Sequence, residues 1–237
     1  MGFFDFLGEI ERYAENPGGV RRLNKRYNFL VRPYVAEIQG SSVLDLASHD
    51  GRWSYALSAA GAREVVGVEA RPELIEQFQY YPPGPVKDRV SFVQGDVYEA
   101  LPKLAAEGRR FDVVALFGLF YHVMDHYGLL KLIHRLDPRL IIVDSEFYLS
   151  DEPAVRLIRE GTDNVLHSIA HIPGQVRAPA GIPSKTAFGW MADTLGYGIE
   201  WADWGTVPPG RRSGVQSYFR EPPEFKCRDT CALRPAT

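Results

Sequence analysis

The 237-residue sequence contains two cysteines, no excess of positive charge and no long apolar run. Cys227 and Cys231 lie close together without histidine neighbours, so they predict neither a disulfide framework nor a zinc site. No window of 18 apolar residues exists, which argues against a membrane partner. The formal net charge of -3 provides no bulk attraction to phosphate, which argues against a nucleic-acid partner.

The amino-terminal segment also lacks the pattern of a secretory signal. Met1 to Glu9 is apolar, but acids interrupt it and no basic region precedes it. We therefore expect a cytoplasmic protein. A hydrophobic fraction of 45% with 12% aromatic residues is typical of a globular chain, and this length is sufficient for one α/β domain with a full core.

Residues 43–70 form the most informative pattern in the sequence. The apolar run 42–46 is typical of a strand buried on both faces of a parallel sheet. Helical spacing follows and ends at Gly61, and residues 65–68 predict a second strand with Glu69 at its carboxyl end. An acid about 20 positions after the first turn is well placed to hydrogen-bond a ribose diol.

The turn Ala47–Gly51 contains one glycine and a carboxylate. A dinucleotide site uses G-x-G-x-x-G, so that bare backbone can approach a pyrophosphate. Asp50 would repel a pyrophosphate, which favours a cofactor that has a ribose diol and a cationic centre but no phosphate. S-adenosylmethionine has these properties. The alternative is an ordinary βαβ unit without a ligand.

With these residues the chain resembles the class I S-adenosylmethionine-dependent methyltransferases over about residues 25–220. The first motif of those enzymes is an acid followed by a glycine-rich turn, and D-x-A-S-H-D-G-R-W is a variant that retains one glycine. Gly95–Val97 match the adenine edge, and Leu116–His122 match the segment after the fourth strand. The resemblance implies S-adenosylmethionine as cofactor. It implies these cofactor-binding residues: Tyr27, Arg32, Asp45, Ala47, Ser48, Gly51, Trp53, Glu69, Ala70, Asp96, Val97 and Phe117.

The predicted fold is a doubly wound, Rossmann-like α/β domain over residues 41–225, with seven mostly parallel strands and a closing antiparallel hairpin of residues 199–204 and 215–220. Residues 1–40 predict a cap of two helices separated by a turn at Asn16–Gly19. Residues 147–183 include an insertion of the kind that forms a lid or substrate loop, and residues 226–237 predict a frayed tail.

The second predicted cap helix carries a run of positive charge. In similar methyltransferases such a helix supplies a cation or a tyrosine to the cofactor carboxylate, which makes Arg26, Tyr27 and Arg32 candidates. A solvated basic face is the alternative.

His122 is the leading candidate for a general base. It follows the fourth predicted strand, where donor and acceptor meet in similar enzymes, and a hydroxyl acceptor must give its proton to a base within hydrogen-bond reach. The ordinary pKa of histidine suits that task. A packing or capping role is the alternative. His126 is predicted one helical turn away on the same face.

Two carboxylates, Asp144 and Glu146, follow the fifth predicted strand at the same edge of the sheet. As catalytic candidates they could orient a base, hydrogen-bond a polar substrate or ligate a divalent cation. Hydrogen bonding to substrate is favoured, and no metal site is predicted. His167 and His171 have the spacing of a zinc pair on a helix but lack the glutamate of a protease motif, so they predict pocket-lining or surface residues.

The mixture of aromatic and polar side chains favours a small-molecule acceptor, with a sugar or glycoside preferred over a phenol or an amine. Modification of the tRNA wobble uridine is an alternative, because residues 119–136 and 183–203 look similar to enzymes of that kind. A non-catalytic partner subunit of the same fold is another. The predicted substrate contacts are Tyr121, His126, Tyr148, His171 and Trp190.

Overall fold

A seven-stranded sheet organises the chain, which is described for residues 2–236 by a computed structural model. The strands are β1 (Ser42–Leu46), β2 (Glu64–Glu69), β3 (Val90–Gln94), β4 (Val113–Phe117), β5 (Leu140–Tyr148), β6 (Val155–Gly161), β7 (Arg177–Pro183), β8 (Tyr197–Trp201) and β9 (Lys226–Pro235). Their order in the main sheet is β3-β2-β1-β4-β5-β9-β8. Strands β1 to β5 pair in parallel, and β9 is antiparallel to both of its neighbours, which confirms the predicted fold class.

Helices cover both faces of this sheet. They are α1 (Glu11–Ala14), α2 (Pro17–Leu30), α3 (Val35–Ile38), α4 (Arg52–Ala59), α5 (Pro72–Ile75), α6 (Pro85–Asp88), α7 (Val97–Ala106), α8 (His126–His134) and α9 (Lys185–Asp193). Successive strand residues point to opposite faces. In β1, Val43 packs with the layer that contains α2 and α4, and Leu44 packs with the layer of α7, α8 and α9. The strands are therefore apolar on both sides, as the continuous runs in the sequence predicted.

The sheet reverses its winding direction at β1, which pairs with β2 on one side and β4 on the other. Loops on the two sides of this point leave in opposite directions, and a crevice opens at the carboxyl ends of the strands. Leu46, Glu69 and Phe117 are the last residues of the three strands that bound the crevice.

The predicted turn at Asn16–Gly19 is wrong, because those residues begin a 14-residue helix, α2. The Asn16 side chain caps it by accepting a hydrogen bond of 2.8 Å from the Gly19 backbone N–H, and Pro17 occupies the first helical position. Both residue types favour helix starts as well as turns, which explains the error. The rest of the cap consists of short turns, including a 3-10 segment over Phe3–Glu9.

The predicted carboxyl-terminal tail is also wrong. Residues 226–235 form β9, which lies between β5 and β8, whereas the predicted return strand ends in a 3-10 turn over Gln216–Phe219. Cys231 and Leu233 on β9 are fully buried. The first residues of this strand are mostly charged, so the sequence does not show the apolar run that is typical of a buried strand.

The insertion forms a two-stranded antiparallel hairpin, β6 and β7, separate from the main sheet. Its connecting loop, residues 162–176, is irregular, so His167 and His171 do not share a helix. Across residues 2–236, no helix is long and apolar enough to cross a membrane.

Replacing the fully buried Leu233 by alanine tests the central position of β9. We expect Leu233→Ala to lower the free energy of unfolding by about 3 kcal/mol, measured by urea denaturation, because it removes buried methyl groups and leaves a cavity. Val176→Ala, at a side chain that is 75% exposed, is the control and should change little. A loss below about 1 kcal/mol in Leu233→Ala would contradict a core role for β9.

Candidate functional site

A cavity of about 730 Å³ lies at the carboxyl ends of the strands. Its walls come from the loops after β1, β2, β3 and β4, from α2, from β9 and from the loop between β6 and β7. Ligand sites for small molecules typically range from about 300 to 1,000 Å³, so this volume fits a cofactor together with part of a small acceptor.

The loop after β1 keeps a sharp turn although it has one glycine. Ala47 and His49 adopt left-handed backbone angles, with φ of 54° and 56°. Such angles cost roughly 1 to 2 kcal/mol for a residue with a Cβ. Backbone hydrogen bonds hold them, because the Ser48 N–H donates to the Val68 carbonyl at 3.0 Å and the His49 N–H donates to Glu69 Oε2 at 2.9 Å.

Asp50 does not face the cavity, which corrects the argument that it would repel a phosphate. Its side chain is fully buried, and Arg52 Nε donates to Asp50 Oδ1 at 2.7 Å. The Tyr13 hydroxyl donates to the other oxygen. Burial alone would raise the pKa of Asp50, but the charge of Arg52 and the nearby hydrogen bonds outweigh it and lower that pKa well below its usual range. The loop carboxylate therefore secures α1 to the turn.

Glu69 presents a fixed carboxylate at the end of β2. Its two oxygens accept from the backbone N–H groups of His49, at 2.9 Å, and Arg71, at 3.0 Å. Glu69 lines the cavity and is 5% exposed. Each oxygen keeps a further lone pair for a ligand hydroxyl.

Other predicted cofactor residues divide into two groups. Five more line the cavity with Glu69: Ala47, Trp53, Ala70, Val97 and Phe117. Asp96 lines it too, and its Oδ1 also caps α7 by accepting from the Tyr98 N–H at 2.7 Å. Asp45, beneath the turn, and Ser48 and Gly51, within it, lie outside the cavity wall.

Gly51 supports the turn through its shape. Its φ is +78°, and a Cβ on it would lie 2.5 Å from the Phe78 ring, so a side chain does not fit there.

His122 lies on the cavity wall in the 3-10 turn Phe120–His122 after β4. Its Nδ1 lies 2.8 and 2.7 Å from the two carboxylate oxygens of Glu160 on β6. Ser168 donates to Glu160 from both its N–H, at 3.0 Å, and its hydroxyl, at 2.9 Å. Burial would raise the pKa of Glu160, but the His122 and Ser168 contacts lower it to about 2. An ionised Glu160 accepts the Nδ1 proton, which leaves Nε2 of His122 as a proton acceptor.

Asp144 has a structural position, which corrects its assignment as a catalytic residue in contact with substrate. It is fully buried and accepts from Arg26 Nη2 at 2.8 Å and Arg228 Nη1 at 2.6 Å. The Tyr218 hydroxyl donates at 2.5 Å and the Thr230 hydroxyl at 3.0 Å. Burial would raise the pKa of Asp144, but Arg26 and Arg228 lower it to about 2.

Several other predicted contacts lie away from the cavity. Glu146 pairs with Lys226 and lies 3.7 Å from Arg220 Nη1, so strand pairing with β9 neutralises it. His126 is buried and hydrogen-bonds the Gly181 carbonyl at 2.9 Å, and burial lowers its pKa. Four more predicted contacts lie outside the cavity wall: Arg32 and Trp190 are exposed, Tyr27 stacks on Phe3, and Tyr148 lies against Arg156. Their predicted ligand contacts are corrected accordingly.

Tyr121, His167 and His171 do line the cavity. His171 Nδ1 lies 3.8 Å from Asp96 Oδ2 across the cavity mouth. The described part of the chain, residues 2–236, contains no group of three or more histidine, cysteine or acidic side chains arranged to hold a metal ion.

Comparison with known families is consistent with this geometry. Residues 43–137 match the methyltransferase domain model, a stretch that runs from β1 past α8 and contains the turn, Glu69, Asp96 and His122. Residues 43–137 therefore have the sequence of a methyltransferase domain, in agreement with the predicted resemblance to the class I S-adenosylmethionine-dependent methyltransferases.

Individual relatives of this superfamily cover only part of the chain. A demethylmenaquinone methyltransferase of Clavibacter sepedonicus is 35% identical over 57% of this chain and 52% of its own length. A tRNA U34 carboxymethyltransferase of Photobacterium profundum is 30% identical over 60% of this chain and 43% of its own length. The chain therefore spans about half the length of the curated relatives that it matches.

Solved structures share the superfamily fold at low identity. The N-terminal domain of EvdMO1, solved in the presence of SAH and D-fucose, has a TM-score of 0.65 at 19% identity and covers 86% of this chain and 80% of that one. A S-adenosylmethionine-dependent methyltransferase from Listeria monocytogenes has a TM-score of 0.59 at 16% identity, with 89% and 98% covered. S-adenosylmethionine, the predicted cofactor, is the one that defines the superfamily.

The sequence patterns did not identify four residues of the cavity region: Tyr13, Arg22, Glu160 and Arg228. Tyr13 and Arg22 lie on the cap, and their neighbours in the sequence give no sign of a ligand site. Glu160 and Arg228 reach the site through hairpin and sheet pairing far along the chain, and only the alternating pattern of each strand could have indicated an inward-facing position.

Because Asp45 is buried beneath the turn, we predict that the free energy of unfolding depends on pH. Burial raises its pKa to about 7, only partly opposed by the Ser54 hydroxyl, which donates at 2.6 Å. The folded state therefore holds a proton that the unfolded chain loses above about pH 4, and the contribution of Asp45 to stability falls as pH rises from about 4 to 7. The full effect is roughly 4 kcal/mol at most.

Asp45→Asn should remove this component, so the variant gains stability relative to the wild type as pH rises, measured by urea denaturation at pH 4.5 to 8. Asp151→Asn, on an exposed loop, is the matched control. Parallel pH profiles for Asp45→Asn and the wild type would mean that Asp45 is ionised in the folded protein.

Proposed function

We propose that this chain transfers a methyl group from S-adenosylmethionine to a hydroxyl of a small polar acceptor, with a sugar or glycoside preferred, and that His122 is the general base. The observation that carries the proposal is the His122–Glu160 pair on the cavity wall after β4. A buried carboxylate that fixes one imidazole nitrogen leaves the other oriented toward the cavity for proton transfer.

The cavity has groups that fit the donor. Glu69 would accept from the ribose hydroxyls, and Asp96 with Val97 would contact the adenine at the end of β3. Arg26 is the remaining candidate for the donor carboxylate, because it lies on the cavity wall whereas Tyr27 and Arg32 line a separate groove. When bound, the donor supplies an electrophilic methyl group.

The chain's own residues would then orient the acceptor and exclude water. His122 Nε2 takes the proton of the attacking hydroxyl, and Glu160 stabilises the imidazolium that forms. The Ser168 N–H fixes Glu160, and its single hydroxyl proton is shared between Glu160, at 2.9 Å, and the His122 carbonyl, at 2.7 Å, so the hairpin loop supports both partners.

A sugar acceptor is supported by the polar and aromatic groups around His122. The cavity wall there includes Tyr121, His167 and Ser168, which offer hydroxyl and imidazole partners beside a ring face. The EvdMO1 domain, whose structure was solved in the presence of SAH and D-fucose, shares the fold.

Modification of a tRNA wobble uridine is the second candidate, because the matched relatives include tRNA U34 carboxymethyltransferases from several bacteria. A local basic surface is the feature that such a substrate needs. Arg21, Lys25 and Arg32 line a shallow groove on the outer face of α2, beside Tyr27. The net charge of -3 weighs against this candidate.

Calorimetric titration with S-adenosylhomocysteine, with NADH in parallel, tests the cofactor assignment. We expect micromolar binding of S-adenosylhomocysteine alone, and at least tenfold weaker binding to Glu69→Ala, because the variant loses its ribose acceptor. Glu73→Ala, at an exposed acid on α5, is the control. Unchanged affinity in Glu69→Ala would remove the ribose role, and no binding to the wild type would favour a non-catalytic partner subunit.

Variants of the base pair test the proton transfer, using S-adenosylhomocysteine formation with the acceptor found by screening sugars, phenols and tRNA. We expect His122→Ala to lower kcat by about 10² or more with unchanged S-adenosylhomocysteine affinity. Glu160→Gln should lower kcat less and move the acid limb of the pH-rate profile to lower pH, because the imidazolium loses its carboxylate. Full activity of His122→Ala would assign the base to another group.

A further inference from the structure

Three guanidinium groups lie on one wall of the cavity. Arg22 and Arg26 are one turn apart on α2, and Arg228 is on β9. Asp144 accepts from Arg26 and Arg228. Arg22 instead donates from Nη1 to the Gly214 carbonyl at 2.7 Å. Three positive charges are therefore balanced by one carboxylate.

The guanidinium groups that carry this excess charge are largely shielded from water. Arg26 is 9% exposed and Arg228 is 5% exposed. Burial lowers the pKa of Arg22, and the neighbouring charges of Arg26 and Arg228 lower it further. Like charges in such surroundings repel, and the cost is offset only when a counter-charge is present.

The acids on the cavity wall do not supply that counter-charge. Each is held by backbone N–H groups, namely Glu69 by His49 and Arg71, Asp96 by Tyr98, and Asp125 by Gly128. The donor does not balance the excess either, since its one carboxylate, the candidate partner of Arg26, comes with an ammonium and a sulfonium, and the donor therefore adds a net positive charge.

Arg228 provides a second observation that points to a ligand. Its Nη1 and Nη2 are bonded to Asp144 and, at 2.8 Å, to the Tyr121 hydroxyl, but its buried Nε has no hydrogen-bond partner within residues 2–236. A buried guanidinium N–H without an acceptor is unfavourable. Tyr121 adjoins His122 in the chain, so the Arg228 side chain lies on the wall that carries the proposed base.

We propose that Arg22 and Arg228 form a binding site for a carboxylate carried by the acceptor, beside Arg26, so that the substrate is an acidic hydroxy compound such as a sugar acid. The inference rests on the proposed function, because it uses the cavity of the methyl donor and the neighbouring His122. Guanidinium groups bind carboxylates by charge-assisted hydrogen bonds, which would fix the acceptor hydroxyl relative to the base.

Malonate, with the uncharged malonamide as its matched control, is the probe. In protein saturated with S-adenosylhomocysteine and at constant ionic strength, we expect calorimetric binding of malonate and at least tenfold weaker binding of malonamide. Arg22→Met should weaken malonate binding at least tenfold, since it removes the charge and keeps the apolar stem outside the Asp144 network. Arg21→Met, an exposed neighbour on α2, should retain it.

Each contrary result has a distinct meaning. Equal binding of malonate and malonamide, or equal binding by Arg22→Met and Arg21→Met, would overturn the anion site. Weaker S-adenosylhomocysteine binding by Arg22→Met would also overturn it, because the arginine would then serve the donor. Failure of the wild type to bind S-adenosylhomocysteine would instead refute the proposed function, and malonate titrations without it would still test the arginines.

Discussion

The buried carboxylate of Asp144 joins the parts of this molecule that enclose the cavity. It receives hydrogen bonds from Arg26 on α2, from Arg228 on β9 and from Tyr218 in the turn before that strand. Removing one partner of such a buried network leaves an uncompensated charge, which typically costs 3 to 5 kcal/mol. The amino-terminal cap and the last strand of the sheet are thereby held by one side chain at the end of β5.

The turn after β1 shows how the superfamily's first motif can work without most of its glycines. Glycine normally supplies the left-handed backbone angles of this turn, yet Ala47 and His49 adopt them here. The strain is tolerated because Glu69, Arg52 and Asp50 hold the loop through backbone and side-chain hydrogen bonds. The acid that serves the turn is also the one placed for the ribose, so the shape of the loop and the position of the ligand group depend on each other.

The local parts of the fold were predictable because their signals lie within short windows. The parallel strands, Glu69 at the end of β2 and His122 after β4 follow from apolar runs and from the rule that ligands bind at the carboxyl edge. Two predictions from the sequence were wrong. A turn was predicted at Asn16 and Pro17, because both residue types suit turns as well as helix starts. A tail was predicted in place of β9, because the first half of that strand is charged.

The partners of the site residues were not predictable, because they are far from those residues in the sequence. Glu160 is 38 positions from His122, and Arg228 is 84 positions from Asp144. Each pair forms only after a hairpin or a sheet has paired in one register, and a shift by one residue would turn the side chain to the other face. A single sequence identifies the candidate base and leaves open the carboxylate that orients it.

The proposed chemistry depends on the position of the hairpin β6–β7. Glu160 and Ser168 belong to this insertion and its loop, whereas His122 belongs to the superfamily fold. In the proposed mechanism, proton transfer by His122 would therefore depend on the docking of a segment outside the methyltransferase domain match of residues 43–137. Because His126 also bonds the Gly181 carbonyl on β7, two histidines anchor the hairpin against the end of β4. In this proposal the insertion orients the base, while the ends of the parallel strands hold the donor.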